Sequence, residues 1–194
     1  MSGLTPLSAE AMWALGRGTG VAALVLFTVA VVLGIGTRAG ATLPGLGRVG
    51  ASDLHRTASL TATGLVVLHL TTLTLDPYAQ LTLLDWLVPF FGEYRPLWQG
   101  LGTVAVDLLV VIVAVSLLRH RVGPRVFRGV HLLTYLLWPV ALAHGLGNGT
   151  DAGHAWFVAL AVACTAAVVL ALLWRLSPAV DQRGRQRVPR KVLA

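Results

Sequence analysis

Cysteine is nearly absent from this chain of 194 residues, which contains only Cys164. Disulfide frameworks need cysteine pairs, while thiolate zinc sites and iron–sulfur clusters need several cysteines together. A single cysteine therefore excludes all three. Because Cys164 lies inside an apolar run, we expect it to be a small residue that packs between helices.

Charged residues are also scarce, at 12% of the chain against 56% hydrophobic residues. Soluble domains carry about 25% charged residues. The net charge is +7, but the basic residues flank apolar runs and do not form a face on a polar domain, so we exclude nucleic acid as a partner. The composition predicts an integral membrane protein.

A nucleotide-binding motif is the third absence. No GxGxxG sequence follows a predicted strand, and the GLGNG at 145–149 has no βαβ context. We interpret that stretch as a helix C-cap followed by a turn. The chain is therefore not expected to oxidise a nicotinamide by itself.

Long apolar runs are what the sequence does contain. Runs of about 20 residues are long enough to cross a bilayer core. They predict an all-α integral membrane fold, a bundle of five transmembrane helices at 13–36, 54–75, 99–118, 127–145 and 155–175. We divide the chain into an N-terminal segment (1–12), a membrane domain (13–175) and a basic tail that we expect to be disordered (176–194).

The charges between the runs predict the orientation. Arginines dominate the first and third connections and the tail, whereas acids dominate the second and fourth connections. The positive-inside rule then places the N-terminus outside and the C-terminus in the cytoplasm. The aromatic second connection, 76–98, predicts a short helix in the outer interface. A single lysine among 15 basic residues suggests a high-GC bacterial genome and hence the bacterial plasma membrane.

Four histidines lie on two of the predicted spans. His55 and His69 are 14 residues apart on the second span, and His131 and His144 are 13 apart on the fourth. At 1.5 Å per residue these separations are about 20 Å. The two spans run in the same direction, so His55 and His131 share the inner level, and His69 and His144 share the outer level. One imidazole from each span at each level predicts two bis-histidine b-type haem sites.

The rotation along each helix tests this interpretation. Fourteen residues end about 40° short of four full turns, so His55 and His69 share a face. Thirteen residues place His131 and His144 about 140° apart on an ideal helix, and we expect Pro139 to kink the span and re-aim His144. Small residues close to the histidines in sequence would let a flat ring approach the backbone; they are Ala62, Gly64, Gly129, Ala143 and Gly145.

Two other interpretations of the histidines were weighed. They could be polar membrane residues that bond to neighbouring helices, or ligands of zinc or non-haem iron, which the spacing disfavours because such ligands cluster at one depth. His120 and His154 lie outside the pattern, and we expect both at the surface.

Basic residues near the two levels are candidates for binding haem propionates. Arg56, Arg125 and Arg128 lie at the predicted inner side, and Arg17 and Arg95 at the outer side. Arg17 and Asp107 each fall inside a span near its outer end. Because charges in lipid are usually paired, we expect Arg17 to pair with Asp107, or to bind an outer propionate while Asp107 orients it.

The segments HRTASLTATGLVVLH and HLLTYLLWPVALAH, with their paired histidines, resemble the ferric reductase-like transmembrane domain family. That family includes the membrane portions of NADPH oxidases, fungal ferric reductases and the haem subunit of the periplasmic methionine-sulfoxide reductase. GRGTGVAALVLF, YRPLWQGLGTVAVDLL and HGLGNGTD resemble its bacterial members. The resemblance covers about 13–175 and implies inner haem ligands His55 and His131, outer ligands His69 and His144, and outward electron flow.

The resemblance implies the membrane haem subunit of an oxidoreductase. FAD or FMN and NAD(P)H would act only through a separate protein, so the expected donor is a soluble flavoprotein or a membrane quinol. The expected outer acceptor is ferric iron, oxygen or a redox partner protein. Two alternatives stay open at this point, a transporter or channel with a histidine proton relay and a structural membrane anchor.

Overall fold

The computed structural model describes residues 6–39, 47–76, 79 and 81–177. Within these residues the chain forms helices and no strands, as the apolar runs predict. The helices are α1 (Pro6–Arg38), α2 (Arg48–Leu75), α3 (Leu83–Leu87), α4 (Pro96–Leu117), α5 (Arg119–His131), α6 (Thr134–Asn148) and α7 (Ala155–Leu176). The tail predicted to be disordered lies, beyond Ser177, outside the described residues.

Four helices, α1, α2, α4 and α7, are each long and apolar enough to cross a membrane. Helices α5 and α6, bent by 46° at the break between them, pass the same test as a pair, so the described residues contain four or five candidate spans. Their outer surfaces carry large apolar side chains, and Val162 and Leu170 are more than 60% exposed, at 62% and 64%. Apolar side chains on the outside of a bundle suit lipid. The prediction of a multi-pass helical membrane protein is confirmed, while the orientation stays a prediction.

Helix α1 lies at the centre of the bundle, packed mainly along α2 and also against α6 and α7, while α4 packs against α6. The buried Trp138 of α6 donates its indole N–H to Thr28 Oγ1 of α1 at 2.9 Å. Cys164 of α7 is buried in the same apolar cluster as Trp138, as expected for a packing residue. This part of the interior is therefore apolar, and one hydrogen bond joins α6 to α1 within it.

The irregularity in the fourth span does not lie where the sequence predicted it. Pro139 is inside α6, which continues from Thr134 to Asn148. The break falls at Leu132 and Leu133, directly after His131. The bend that the structure shows in this span is therefore not at Pro139, and the effect of Pro139 on His144 stays a prediction. The bend at 132–133 changes the relative direction of the His131 and His144 side chains, which would point to different faces of an ideal helix.

The second connection contains the predicted short helix, α3. Thr82 and Asp85 form a capping box at its start, in which the two residues satisfy each other's backbone N–H groups. Thr103 of α4 donates its hydroxyl to the carbonyl of Asp85 at 2.7 Å. This bond fixes the connection against the end of the bundle where α4 begins.

Candidate functional site

Two cavities open inside the bundle, and we name them by the predicted orientation. The outer cavity, about 240 Å³, lies between α1, α2, α4 and α6. Its lining includes His69 of α2 and His144 of α6. The structure thus brings together the two histidines that the sequence assigned to the outer level.

The inner cavity has a volume of about 650 Å³ and is lined by His55 of α2 and His131 of α5. Their ring centroids are 6.1 Å apart, and the ring planes are inclined by 75°. The second predicted pair is therefore also side by side. Phe27, Leu109 and Leu137 line both cavities, so a single layer of apolar side chains separates them.

Three of the four histidines are oriented by a backbone carbonyl of a neighbouring helix. Nδ1 of His55 lies 2.8 Å from the carbonyl oxygen of Ala30, and Nδ1 of His69 lies 2.6 Å from that of Gly16. Nδ1 of His144 lies 2.8 Å from the carbonyl oxygen of Trp98. A carbonyl oxygen can only accept, so Nδ1 carries the proton in these rings. The lone pair is then on Nε2, which is the atom free to bind a metal.

His131 is the exception. Among the described residues its buried Nδ1 has no hydrogen-bond partner. The ring instead stacks on Phe127, one helical turn earlier, with centroids 5.3 Å apart and planes inclined by 24°. His131 also ends α5, immediately before the break at 132–133. Its orientation therefore depends on one ring contact and a helix end.

Arg17 does not pair with Asp107 as the sequence predicted. Its guanidinium forms an ion pair with Asp151 at 3.1 Å and lies 4.1 Å from the centre of the Trp13 ring. Within the described ranges no ion pair joins Arg17 to Asp107. The loop between α6 and α7 brings Asp151 back over α1, and the expected pairing with Asp107 is wrong. Arg17 still lines the outer cavity, as a propionate-binding residue would.

The other predicted basic residues differ in position. Arg56 is exposed and lines the inner cavity. Arg128 is exposed, donates to the carbonyl of Pro124 at 3.0 Å, and is not among the described residues that line that cavity. Arg95 donates to the carbonyl of Gly147 at 2.9 Å. Arg38 lines the inner cavity, and sequence reasoning missed it because an arginine at the end of a span is ordinarily an orientation signal.

His120 and His154 are exposed, as predicted. His120 lies at the rim of the inner cavity, and His154 precedes α7 with its side chain 64% exposed. In the part of the chain that the structure describes, no three histidine, cysteine, aspartate or glutamate side chains gather as a metal site. A haem needs at most two such protein ligands, because its porphyrin supplies the other four nitrogens.

Taken together, the apolar helices and the two histidine-lined cavities between them define a multi-pass helical membrane protein with paired polar sites in its interior. The family model "Ferric reductase like transmembrane component" matches residues 19–142. The match covers more than half of the chain, which belongs to this family of membrane electron-transfer components. It includes His55, His69 and His131 and ends just before His144. No curated protein and no solved structure matches the chain.

Proposed function

We propose that this chain is a transmembrane cytochrome b subunit that carries electrons across the bilayer through two b-type haems. His55 and His131 would be the axial ligands of the inner haem, and His69 and His144 those of the outer haem. The observation that carries the proposal is the pairing itself, since His69 of α2 and His144 of α6 line the outer cavity, and His55 of α2 lies beside His131 of α5 in the inner one. Iron held by two imidazoles alternates between the ferric and ferrous states and so transfers single electrons.

The residues present fit such a group in three respects. His55, His69 and His144 donate Nδ1–H to backbone carbonyls. Metal-binding histidines almost always donate their second ring N–H to an acceptor of this kind, to a carboxylate or to water. The 6.1 Å between the His55 and His131 centroids is close to the roughly 6 Å expected for two imidazoles that share a metal at about 2.0–2.1 Å from each nitrogen. The cavity walls are largely apolar, which suits a porphyrin.

The chain's own side chains would keep the route between the cavities short and dry. Leu109 and Leu137, which line both cavities, are buried at 7% and 4% exposure. An apolar layer excludes water and leaves few dipoles that would have to reorient when charge moves. Arg17 at the outer end, and Arg38 and Arg56 at the inner end, are placed to neutralise anionic groups at the cavity mouths.

The charges at the inner end of the bundle indicate the kind of electron donor. Exposed arginines of α5 (Arg119, Arg121, Arg125 and Arg128) form a basic surface beside the inner cavity. Such a surface suits an acidic cytoplasmic flavoprotein, which steers to it electrostatically; a membrane quinol is the other donor that fits a haem subunit. The acceptor would be ferric iron, oxygen or a redox partner on the outer side of a bacterial plasma membrane.

The proposal is tested on protein purified in detergent from bacterial cells supplied with haem precursor. We expect about two haems per chain, with a Soret band that sharpens and shifts on dithionite reduction. His154→Ala, outside both cavities, is the matched control and should retain both haems. A colourless preparation, or one haem in the unaltered chain, would contradict the proposal. Vesicles with a reductant inside and a ferric chelate outside then test whether electrons cross.

A further inference from the structure

Each carbonyl-bound histidine lies against a glycine of the neighbouring helix. A Cβ atom added at Gly102 would be 2.6 Å from Cε1 and 2.7 Å from Nδ1 of His144. At Gly20 it would be 3.0 Å from Cε1 of His69, and at Gly34 it would be 3.2 Å from Cε1 of His55. Carbon atoms in contact prefer about 3.5–4.0 Å, so a Cβ at Gly102 would displace the imidazole, and at Gly20 and Gly34 the ring would have to move by a few tenths of an ångström.

The glycine and the accepting carbonyl have the same spacing in all three cases. His69 bonds to the carbonyl of Gly16 and lies on Gly20, and His55 bonds to that of Ala30 and lies on Gly34. His144 repeats the arrangement on α4 with Trp98 and Gly102. The carbonyl always belongs to residue i and the glycine to residue i+4.

Helix geometry explains why this spacing recurs. The carbonyl of residue i already accepts the N–H of residue i+4. Each Cα–Cβ bond tilts toward the N-terminus of its helix, so the side chain at i+4 covers the turn in which that carbonyl lies. A glycine at i+4 uncovers the oxygen, and an imidazole N–H can then reach it from the side.

The arrangement on α1 is also matched to the spacing of the histidines. Gly20 and Gly34 are 14 residues apart, as are His55 and His69 on α2. The two helices pack along each other in opposite directions. A single alignment of α1 with α2 therefore places Gly20 against His69 and Gly34 against His55. His131 has no such glycine among the described residues, and it is the histidine whose Nδ1 lacks a partner.

We propose that Gly20, Gly34 and Gly102 are positioning residues for the axial ligands. Each leaves room for one imidazole to donate Nδ1–H to a helix carbonyl that no side chain covers. This bond fixes the tautomer and directs Nε2 into the cavity. Gly20 and Gly102 would serve the outer haem and Gly34 the inner haem. This inference rests on the proposed function, because the rings are treated as haem ligands.

Ordinary helix packing is the competing explanation, and the chain supplies two controls for it. Gly20→Ala and Gly34→Ala crowd the same α1–α2 contact beside different histidines, so each is the packing control for the other. A Cβ at Gly18 would meet nothing within 4 Å. Alanine is a better helix former than glycine, so none of these substitutions weakens the helix itself.

The test is low-temperature EPR and haem quantification of the purified ferric protein, in which two low-spin signals are expected. His55→Ala and His69→Ala assign the signals to the inner and outer haem. Gly102→Ala and Gly20→Ala should remove or shift only the outer signal, and Gly34→Ala only the inner signal. The closest contact, at Gly102, should give the largest loss, while Gly18→Ala should retain both signals.

The results separate this inference from the proposed function. Unaltered protein without haem would refute the proposed function. Unaltered protein with two haems, together with glycine variants whose signals do not change, would refute only the positioning role. Loss of both signals from Gly20→Ala, Gly34→Ala or Gly102→Ala would also refute it, because a packing defect is not confined to one site.

Discussion

The two cavities of this bundle are built differently. The outer cavity is small, about 240 Å³, and both of its histidines are held by carbonyls of neighbouring helices. The inner cavity is about 650 Å³, and only His55 is held in this way. His131 stacks on Phe127 at the end of α5. The helices therefore orient the outer pair in advance, whereas the inner pair would depend on the bound iron to fix His131.

This difference predicts which histidine ligand, once removed, can be replaced by free imidazole. We expect the largest change in haem content from this experiment. His131→Gly and His144→Gly should each reduce the content from about two haems to about one. Free imidazole should restore the second haem in His131→Gly, because the roomier inner cavity admits it. His144→Gly should recover little, since the replacement must fit the smaller cavity. The measurement is haem per chain with and without imidazole during expression, and equal recovery in both variants would contradict the comparison.

Arg17→Gln tests the tighter outer end. It leaves the carboxylate of Asp151, only 8% exposed, without its ion-pair partner, which should cost about 1–3 kcal/mol of folding free energy; the 39% exposure of Arg17 argues for the lower half of that range. The thermal midpoint of the detergent-solubilised protein should fall, and the outer-haem potential should become more negative because a nearby cation is lost.

The control for Arg17 is the double variant Arg17→Gln with Asp151→Asn. It removes both charges, so it should recover much of the stability and restore the potential toward that of the unaltered protein. A double variant no better than Arg17→Gln would show that the ion pair is not what stabilises this end. An unchanged outer-haem potential in Arg17→Gln would contradict a role beside a propionate.

The smallest effect is expected from the ring that supports His131. A stacked aromatic pair contributes about 0.5–1.5 kcal/mol beyond its buried area, so Phe127→Leu should weaken the inner haem roughly two- to tenfold. The outer haem should not change. The rate of haem loss to excess apomyoglobin measures how tightly each haem is held. Phe91→Leu is the control, because Phe91 is exposed. Equal weakening of both haems would show that Phe127 does not act through His131.

Several features of this molecule could be predicted from the sequence because they depend on spacing along one helix. The apolar runs predicted the four or five candidate spans, and the intervals between the histidines predicted which of them lie in the same cavity. Both follow from the rise per residue. The short helix α3 also followed from local composition, since aromatic residues fill a connection too short to cross.

Features that depend on how two helices meet were missed. Gly64 and Gly129, which are close to the histidines in sequence, do not lie against a ring, since an added Cβ at either would meet nothing within 4 Å. The glycines against the rings belong to α1 and α4, although the equal 14-residue spacing of Gly20 and Gly34 was a usable signal. Likewise, the pairing of Arg17 with a residue 134 positions away depends on where a loop returns.

The most direct test of the account is the haem content of two double variants. His55→Ala with His131→Ala removes both proposed ligands from the inner cavity and should retain about one haem per chain, whereas His55→Ala with His69→Ala removes one proposed ligand from each cavity and should retain none. Single variants, each with about one haem, provide the reference. A same-cavity double variant that loses all haem, or a cross-cavity one that keeps a haem, would contradict the pairing of one histidine from each span.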